Sequence, residues 1–406
     1  MNYTTVKHPV KRYTTAYSST LKIQYYGEDN LYPQRMCDLL DNSPTGSTCF
    51  DRYRTFIEGN GLYDEKLAEY VCNTFGDSVD DVFRLVAEDV AKYNGFALHV
   101  TYNLEAKITG IQHIPFASCR LDEEDDDGRV PFITIHPDWE GRKTRRGKTL
   151  SVTRKYIRKI YPFNPNPRVV FSQIEKDGGI HNYRGQILWC SLNGRNNYPK
   201  AVHDKIVTEL SIDEGLSNVK YRNVRNNFLL SGMIVRKKGS MLGVDDNGNE
   251  VLQSRDDEFL DSIESFQGDV NACSIMDVTV QNEEDQPKFI SVEGANFDKK
   301  FQTTETSTVE RIYSAYGQEP WYCIRVGKVG FSGDVLREAY EYYNSYVEPQ
   351  RRVISRILKR VFDSWHEDIG VKDFSIEPLI YQYNYMNGNL DETQKENGQN
   401  GHNNTD

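Results

Sequence analysis

Apolar residues recur at i, i+3, i+4 and i+7 over Val309, Ile312, Tyr313 and Tyr316, which predicts a helix with one buried face. A second, longer run carries Val335, Leu336, Ala339, Tyr340, Tyr343, Val347, Val353, Ile354, Ile357, Leu358, Val361 and Phe362. It predicts a helix opening at Asp334 and roughly 45 Å long. Pro349 lies in the middle of that run and is expected to kink or break it. Between the two runs, Gly317 to Gly333 holds four glycines in 17 residues around Trp321, Arg325 and Lys328, a density that predicts a loop. A long interrupted helix behind a mobile loop suggests a mechanical part rather than a catalytic pocket.

Upstream, the patterning is mixed. Helices are predicted over Gln34–Asp41, Ser47–Glu58, Lys66–Phe75 and Ser78–Asn94, the last with Val79, Val82, Phe83, Val86 and Val90 on one face. Alternation over Ala97–Tyr102 and Lys107–Ile114 predicts a hairpin. Strands are predicted over Phe116–Leu121 and Val130–His136, and a β-rich stretch over 160–199 that includes Arg168–Glu175, because three prolines in six residues argue against a helix there. A long helix follows from about Lys200 to Asn226, apolar in its first half and polar in its second, so that it projects from the body or lines a wet interior. Strands at Phe228–Lys237, Ala272–Asp277 and Phe289–Val292 surround a predicted helix at Arg255–Phe266. One further strand or short helix is expected within 372–384. The whole reads as α+β. Residues 1–22 read as an extended arm, and the Asn/Gly/Gln-rich stretch after about Asn387 as a disordered tail.

Composition narrows the class. The chain has 406 residues, a formal charge of -11 and 38% hydrophobic residues, enough for two or three domains with a polar surface. No apolar run approaches about 18 residues, so no transmembrane span is predicted, and no membrane partner. The opening residues lack the apolar core of a signal peptide. Seven cysteines are scattered without a CxxC, and eight histidines without an HxH or HxxxH. Buried free thiols and no metal site are the expectation. Net negative charge disfavours a sequence-reading DNA binder. It is compatible with a protein that surrounds DNA without gripping it. The 26 tyrosines suit intersubunit contacts as well as core packing.

Two charged stretches are candidates for chemistry. The acidic run Asp122 to Asp127 reads as a solvated loop, with a divalent-metal cluster as its functional alternative. The basic stretch holds Arg142, Lys143, Arg145, Arg146 and Lys148, either an exposed turn or a patch facing nucleic acid or an acidic neighbouring subunit. Gly141 and Gly147 with Lys148-Thr149 approach a phosphate-binding loop. They are separated by five residues rather than four, and no buried strand precedes them, so nucleotide binding is rejected.

An ordered set of segments runs through the chain: Tyr26-Gly-Glu-Asp-Asn-Leu-Tyr-Pro33, Asn42-Ser-Pro-Thr45, Ile57-Glu-Gly-Asn-Gly-Leu62, Asp138-Trp139, Tyr198-Pro199 with its helix, Asn226-Asn-Phe228, Ser231-Gly-Met-Ile234, Gly317-Gln-Glu-Pro320 and Glu348-Pro349-Gln350. Together they resemble a portal protein of a tailed bacteriophage (Caudoviricetes), of the sort found in phages and prophages of Bacteroides-like hosts. The resemblance covers about residues 22–375. It implies a homododecameric ring at one vertex of the capsid, with wing, stem, clip and crown around a central channel for double-stranded DNA. It also implies docking to a terminase and head–tail adaptors, contact with the major capsid protein, residence in the virion and no cofactor.

Transferred by order, 23–140 is the first part of the wing, 141–199 the clip region, 200–227 a stem helix and 228–316 the second part of the wing. Residues 317–333 become the tunnel loop, 334–385 the long helix and crown, and 386–406 the tail. In that frame Trp321, Arg325 and Lys328 are the candidate DNA-facing residues, with a surface loop contacting a neighbouring subunit as the alternative. An adaptor or other capsid ring subunit is a competing reading. So is a metal-dependent nuclease or phosphotransferase using Asp122 to Asp127, although no nucleophile elbow, P-loop or catalytic His/Asp spacing supports an enzyme.

Overall fold

A computed structural model describes residues 16–125, 129–141, 144–145, 148–149, 152, 156–192, 198–226, 232–235, 240–244, 250–254, 288–291, 297–330 and 332–381. The chain is α+β and divides into two compact units, one made of 1–210 with 310–406 and the other of Ser211–Val309.

The first unit begins with a small hairpin, β1 (Tyr17–Ser18) on β2 (Ile23–Gln24), so residues 16–22 are not the free arm the composition suggests. Three helices follow, α1 (Tyr32–Asn42), α2 (Pro44–Glu58) and the short α3 (Glu65–Glu69). Ser43 caps α2 by accepting from Gly46 N, and Pro44 occupies the first turn, where its missing N–H costs nothing. Helix α2 therefore starts before Ser47, and α3 stops well short of Phe75.

Helix α4 (Val79–Tyr93) has a reciprocal capping box between Ser78 and Asp81 and ends on Asn94 in the left-handed region at φ 62°. Its buried face holds Val79, Val82, Phe83, Val86 and Val90, as the periodicity predicts.

Helix α4 feeds the main sheet. Strands β3 (Gly95–Tyr102) and β4 (Ile108–Ile114) form the predicted hairpin. Then come β5 (Cys119–Leu121), β6 (Ile133–Ile135), the two-residue strands β7 (Thr144–Arg145) and β8 (Lys148–Thr149), β9 (Arg158–Pro162) and β10 (Gln186–Ser191). Six strands make one sheet in the order β4-β3-β10-β9-β6-β5. Only β9 and β10 run parallel in it, joined by helix α5 (Pro167–Lys176) as a crossover.

Helix α5 corrects the strand expected at Arg168–Glu175. Asn166 caps it by accepting from Arg168 N at 3.1 Å, and Pro167 stands in its first turn. Proline is disfavoured in a helix interior but favoured at its first position. Strands β9 and β10 are inner strands of the sheet, so residues 158–191 are an integral part of the first unit.

A tyrosine stack sits at the centre of this core. Tyr26 lies between Tyr32, with ring centroids 4.9 Å apart, and Tyr198 at 4.3 Å. The Tyr198 hydroxyl donates to Gln24 O at 2.8 Å and accepts from Leu121 N at 2.7 Å. Each ring thus buries its apolar body and satisfies its polar tip.

The second unit is entered along helix α6 (Val207–Asn226) and left along helix α7 (Phe297–Ala315). Between them β11 (Gly232–Val235) pairs antiparallel with β14 (Lys288–Ser291), and β12 (Ser240–Val244) with β13 (Glu250–Ser254). The helix expected at Arg255–Phe266 and the strand at Ala272–Asp277 lie outside the described residues. Within this unit Lys220 Nζ meets Glu305 Oε2 at 2.5 Å. In the first unit Arg311 meets Glu209 at 3.1 Å.

Back in the first unit come α8 (Glu319–Arg325) and α9 (Gly333–Phe362). Helix α9 runs through Pro349 without the break that was one of the two expected outcomes. Pro349 is on the exposed side, where water can satisfy the carbonyl left without its amide partner. Past α9, residues 375–377 are extended and pair with the Asn60–Tyr63 turn, through Asn60 N to Glu377 O at 2.9 Å and Tyr63 N to Ser375 O at 3.0 Å. No helix among the described residues is long and apolar enough to cross a membrane. The tail beyond 381 lies outside the described residues.

Candidate functional site

The glycine-rich stretch between α7 and α9 is the candidate site, and it is more ordered than its composition predicts. Helix α7 ends in a Schellman turn. Gly317 adopts φ +67°, and Gln318 N reaches back to Tyr313 O at 2.9 Å. Pro320 lies in the first turn of α8, so the segment re-enters a helix immediately. Gly327 at φ +72° closes α8, with Lys328 N bonded to Cys323 O at 2.9 Å. The four glycines therefore punctuate a helix–turn–helix–turn–helix path. They do not make a free loop.

Gln318 is completely buried, and its side chain is the node of that path. Its Oε1 accepts from Arg52 NH1 at 2.7 Å, and its Nε2 donates to Cys49 O at 2.7 Å and to the Tyr343 hydroxyl at 2.8 Å. Tyr343 in turn donates to Tyr316 O at 2.9 Å. One amide thus ties together α2, the end of α7 and the middle of α9. Burial drives the Tyr343 and Tyr316 hydroxyl pKa values well above the usual tyrosine range, so both stay neutral hydrogen-bonding groups.

Trp321 packs inward against this node. Its ring meets Phe56 edge-on at 5.7 Å and Tyr343 at 5.0 Å, and the Arg52 guanidinium lies over it at 5.2 Å. It is half-buried and acts here as an anchor for α8. Arg325 and Lys328 sit together at the exposed C-terminal end of α8, a favourable place for cations. Arg325 NH1 donates to the Tyr313 hydroxyl at 3.3 Å, and Lys328 Nζ lies 5.6 Å from the Tyr322 ring centre. Tyr313 and Tyr322 are themselves neighbours at 5.7 Å. Val326 and Val329 are exposed beside the two cations, at 43% and 41%. The structure thus brings Arg325 and Lys328 onto one exposed knuckle and sends Trp321 the other way.

The second candidate patch is only partly described. Arg145 in β7 and Lys148 in β8 are direct cross-strand partners. Arg142, Lys143 and Arg146 lie outside the described residues. The acidic run is divided. Asp122 is buried and holds Lys159 Nζ and the Thr134 hydroxyl, whereas Glu123 to Asp125 are exposed. Asp126 and Asp127 lie outside the described residues. Asp122 is thereby committed to the sheet, which separates it from the rest of the proposed metal cluster. Among the described residues no group of three or more His, Cys, Asp or Glu is placed to hold a metal.

Periodicity passed over the polar residues that matter most for positioning. Arg351 occupies a buried place on the apolar stripe of α9, between Val347 and Ile354. It donates to the last carbonyls of α2, Phe56 O and Ile57 O, and burial lowers its pKa to about 10. An arginine in register with an apolar stripe was the available signal. For Gln318 the signal was its place directly after a helix-ending glycine and before a helix-starting Glu-Pro.

No family model and no curated protein matches the chain. Solved structures are similar to it. One is the virion of a native gene transfer agent particle, at 14% identity over 91% of each chain with a TM-score of 0.43. Another is the neck of a native gene transfer agent particle computed with C12 symmetry, at 15% identity over 92% of this chain and 91% of that one, with a TM-score of 0.44. A third is an HK97 family phage portal protein from Corynebacterium diphtheriae, at 8% identity over 69% of this chain and 75% of that one, with a TM-score of 0.37.

Proposed function

We propose that the chain is a portal subunit of a tailed bacteriophage, a structural protein that closes into a ring around a channel for double-stranded DNA. The observation that carries the reading is the course of the chain, which leaves the first unit along α6 and returns along α7, most of both helices forming a second compact unit with the segment between them. A helix leading out, an intervening segment and a helix leading back is the arrangement a stem–clip–stem part requires. In this reading the stem is α6 and α7 and the clip the segment between them, an alternative to the clip that order alone assigns to 141–199. The six-stranded sheet with α1 to α5 is then the wing, and α9 leads to the crown. The ordered segments from Tyr26 to Gln350 support the portal reading as a whole.

In this reading the subunit performs no chemistry of its own. It nucleates procapsid assembly, docks the terminase during packaging and a head–tail adaptor afterwards, and lets DNA pass in packaging and ejection. It carries out these roles as one of twelve copies in the virion. A channel wall needs contacts that are weak and indifferent to sequence, because strong phosphate contacts would hold the duplex. Arg325 and Lys328, two cations on a chain of net charge -11, meet that requirement. Trp321 fixes the helix that presents them.

Electron microscopy of the purified full chain tests the reading. A closed twelvefold ring with an open, duplex-wide channel is the expected result. A ring of another subunit number whose channel is too narrow for a duplex would favour an adaptor, and magnesium-dependent turnover of DNA would point to an enzyme.

A further inference from the structure

The second half of α9 carries a feature that the proposed DNA path does not use. Arg352, Arg356 and Lys359 are exposed at i, i+4 and i+7 on one face of the helix, and Lys372 faces them across a groove of about 360 Å³. Phe374 and Ile376 line its floor. Arg352 meets Glu348 at 3.6 Å. Among the described residues Arg356, Lys359 and Lys372 have no ion-pair partner. Like charges at this helical spacing repel one another unless something anionic lies between them.

We infer that this groove receives a carboxylate-bearing segment of a second copy of the chain. The inference rests on the ring reading above. Two observations choose the occupant. The groove has apolar side chains between its cationic walls, which suits a protein segment offering carboxylates beside an apolar residue. A phosphate backbone lies along cations and has no use for a recessed apolar floor. The charge of the chain supplies the second argument. Copies that each carry -11 repel at long range, so a ring needs a cationic patch on which a neighbour's carboxylates can settle. A groove lined by five cationic side chains, Arg351 buried and Arg352, Arg356, Lys359 and Lys372 exposed, and by one glutamate is such a patch.

The test uses the full chain. The wild type should form rings whose assembly midpoint rises with sodium chloride between about 0.1 and 0.5 M, because exposed charge pairs are screened. The triple variant Arg352→Glu, Arg356→Glu, Lys359→Glu should keep its circular dichroism and melting profile. It should need at least ten-fold more protein to assemble. Lys372→Glu, which leaves the helix untouched, should shift the midpoint in the same direction by a few-fold, and it decides the matter if the triple variant does not fold. Variants that assemble at the wild-type midpoint, in a protein whose wild type does form rings, overturn the inference and leave the ring reading standing. Variants that assemble normally but lose retention of a duplex oligonucleotide also overturn it, and give the groove to phosphate. A wild type that stays monomeric at every salt and protein concentration overturns the ring reading and this inference with it.

Discussion

The side-chain amide of Gln318 donates to the hydroxyl of Tyr343 at 2.8 Å, and both groups are buried. Because the same amide also binds Cys49 O and Arg52, its loss strands several polar groups at once. Gln318→Leu should destabilise the first unit by about 2–4 kcal/mol, the range for unsatisfied buried polar groups with one charged partner. The denaturant midpoint of that unit reports it. A shift under about 0.5 kcal/mol would show that the node is not structural.

Gly317 and Gly327 share a left-handed backbone but differ in surroundings. A Cβ at Gly317 would come within 2.6 Å of the Tyr346 ring, whereas at Gly327 nothing lies within 4 Å. Gly327→Ala should cost only the conformational penalty, about 1 kcal/mol, and Gly317→Ala clearly more. Equal melting temperatures for the two variants would contradict the packing of Tyr346 on the turn.

Pro349 is exposed inside a continuous helix, so Pro349→Ala restores one backbone hydrogen bond at no cost in packing. It should stabilise α9 by roughly 1–3 kcal/mol, read as a higher melting temperature and slower amide exchange over 345–353. An unchanged or lower value would mean that the proline serves the helix in some way the contacts do not reveal.

His203 is fully buried with Nε2 on Met36 O at 3.2 Å, and burial lowers its pKa to about 4. An unfolded histidine titrates near about 6.5. Between these values the unfolded chain binds a proton that the folded chain refuses. Stability is therefore full above about pH 6.5 and falls as the pH drops toward 4. By pH 5 the loss from this one residue should be about 2 kcal/mol. Comparing wild type with His203→Gln at pH 7 and pH 5 isolates it. Parallel losses in both would exclude His203 as the source.

The DNA-facing assignment is tested by Arg325→Ala with Lys328→Ala. Both side chains are exposed, so rings should form normally. DNA retained per particle should fall at least about two-fold, and binding of duplex should become less salt-dependent by about one log unit per log unit of salt for each phosphate contact removed. Normal packaging rate and extent would leave the knuckle as a contact between subunits.

Much of the helical framework was legible. The buried faces of α4, α7 and α9 coincide with the periodic positions, because an amphipathic helix must bury one stripe. The β3–β4 hairpin was legible too. Proline and glycine act differently at different positions of this chain. Pro167 and Pro320 open helices, Pro349 rides on the exposed side of one, and Gly317 and Gly327 end them. Their meaning depends on position within the turn, which composition alone does not encode. In the candidate site, the exposed pair Arg325 and Lys328 was legible as a cluster of cations. The inward turn of Trp321 was not, because its partners Arg52, Phe56 and Tyr343 come from distant helices.

The closing pair between Arg351 and Phe56 O spans 295 positions, and that separation has a consequence for synthesis. At roughly 5–20 residues per second, α2 leaves the ribosome on the order of 15–60 s before the arginine that binds its last carbonyls. The 60–63 turn waits comparably long for its partners at 375–377. Throughout that interval the whole of Ser211–Val309 emerges. The second unit is therefore fully synthesised before its host is complete. A chaperone that shields the exposed end of α2 would speed recovery of the native chain, and slower translation of the last third would prolong the period in which the first helices lack their partners.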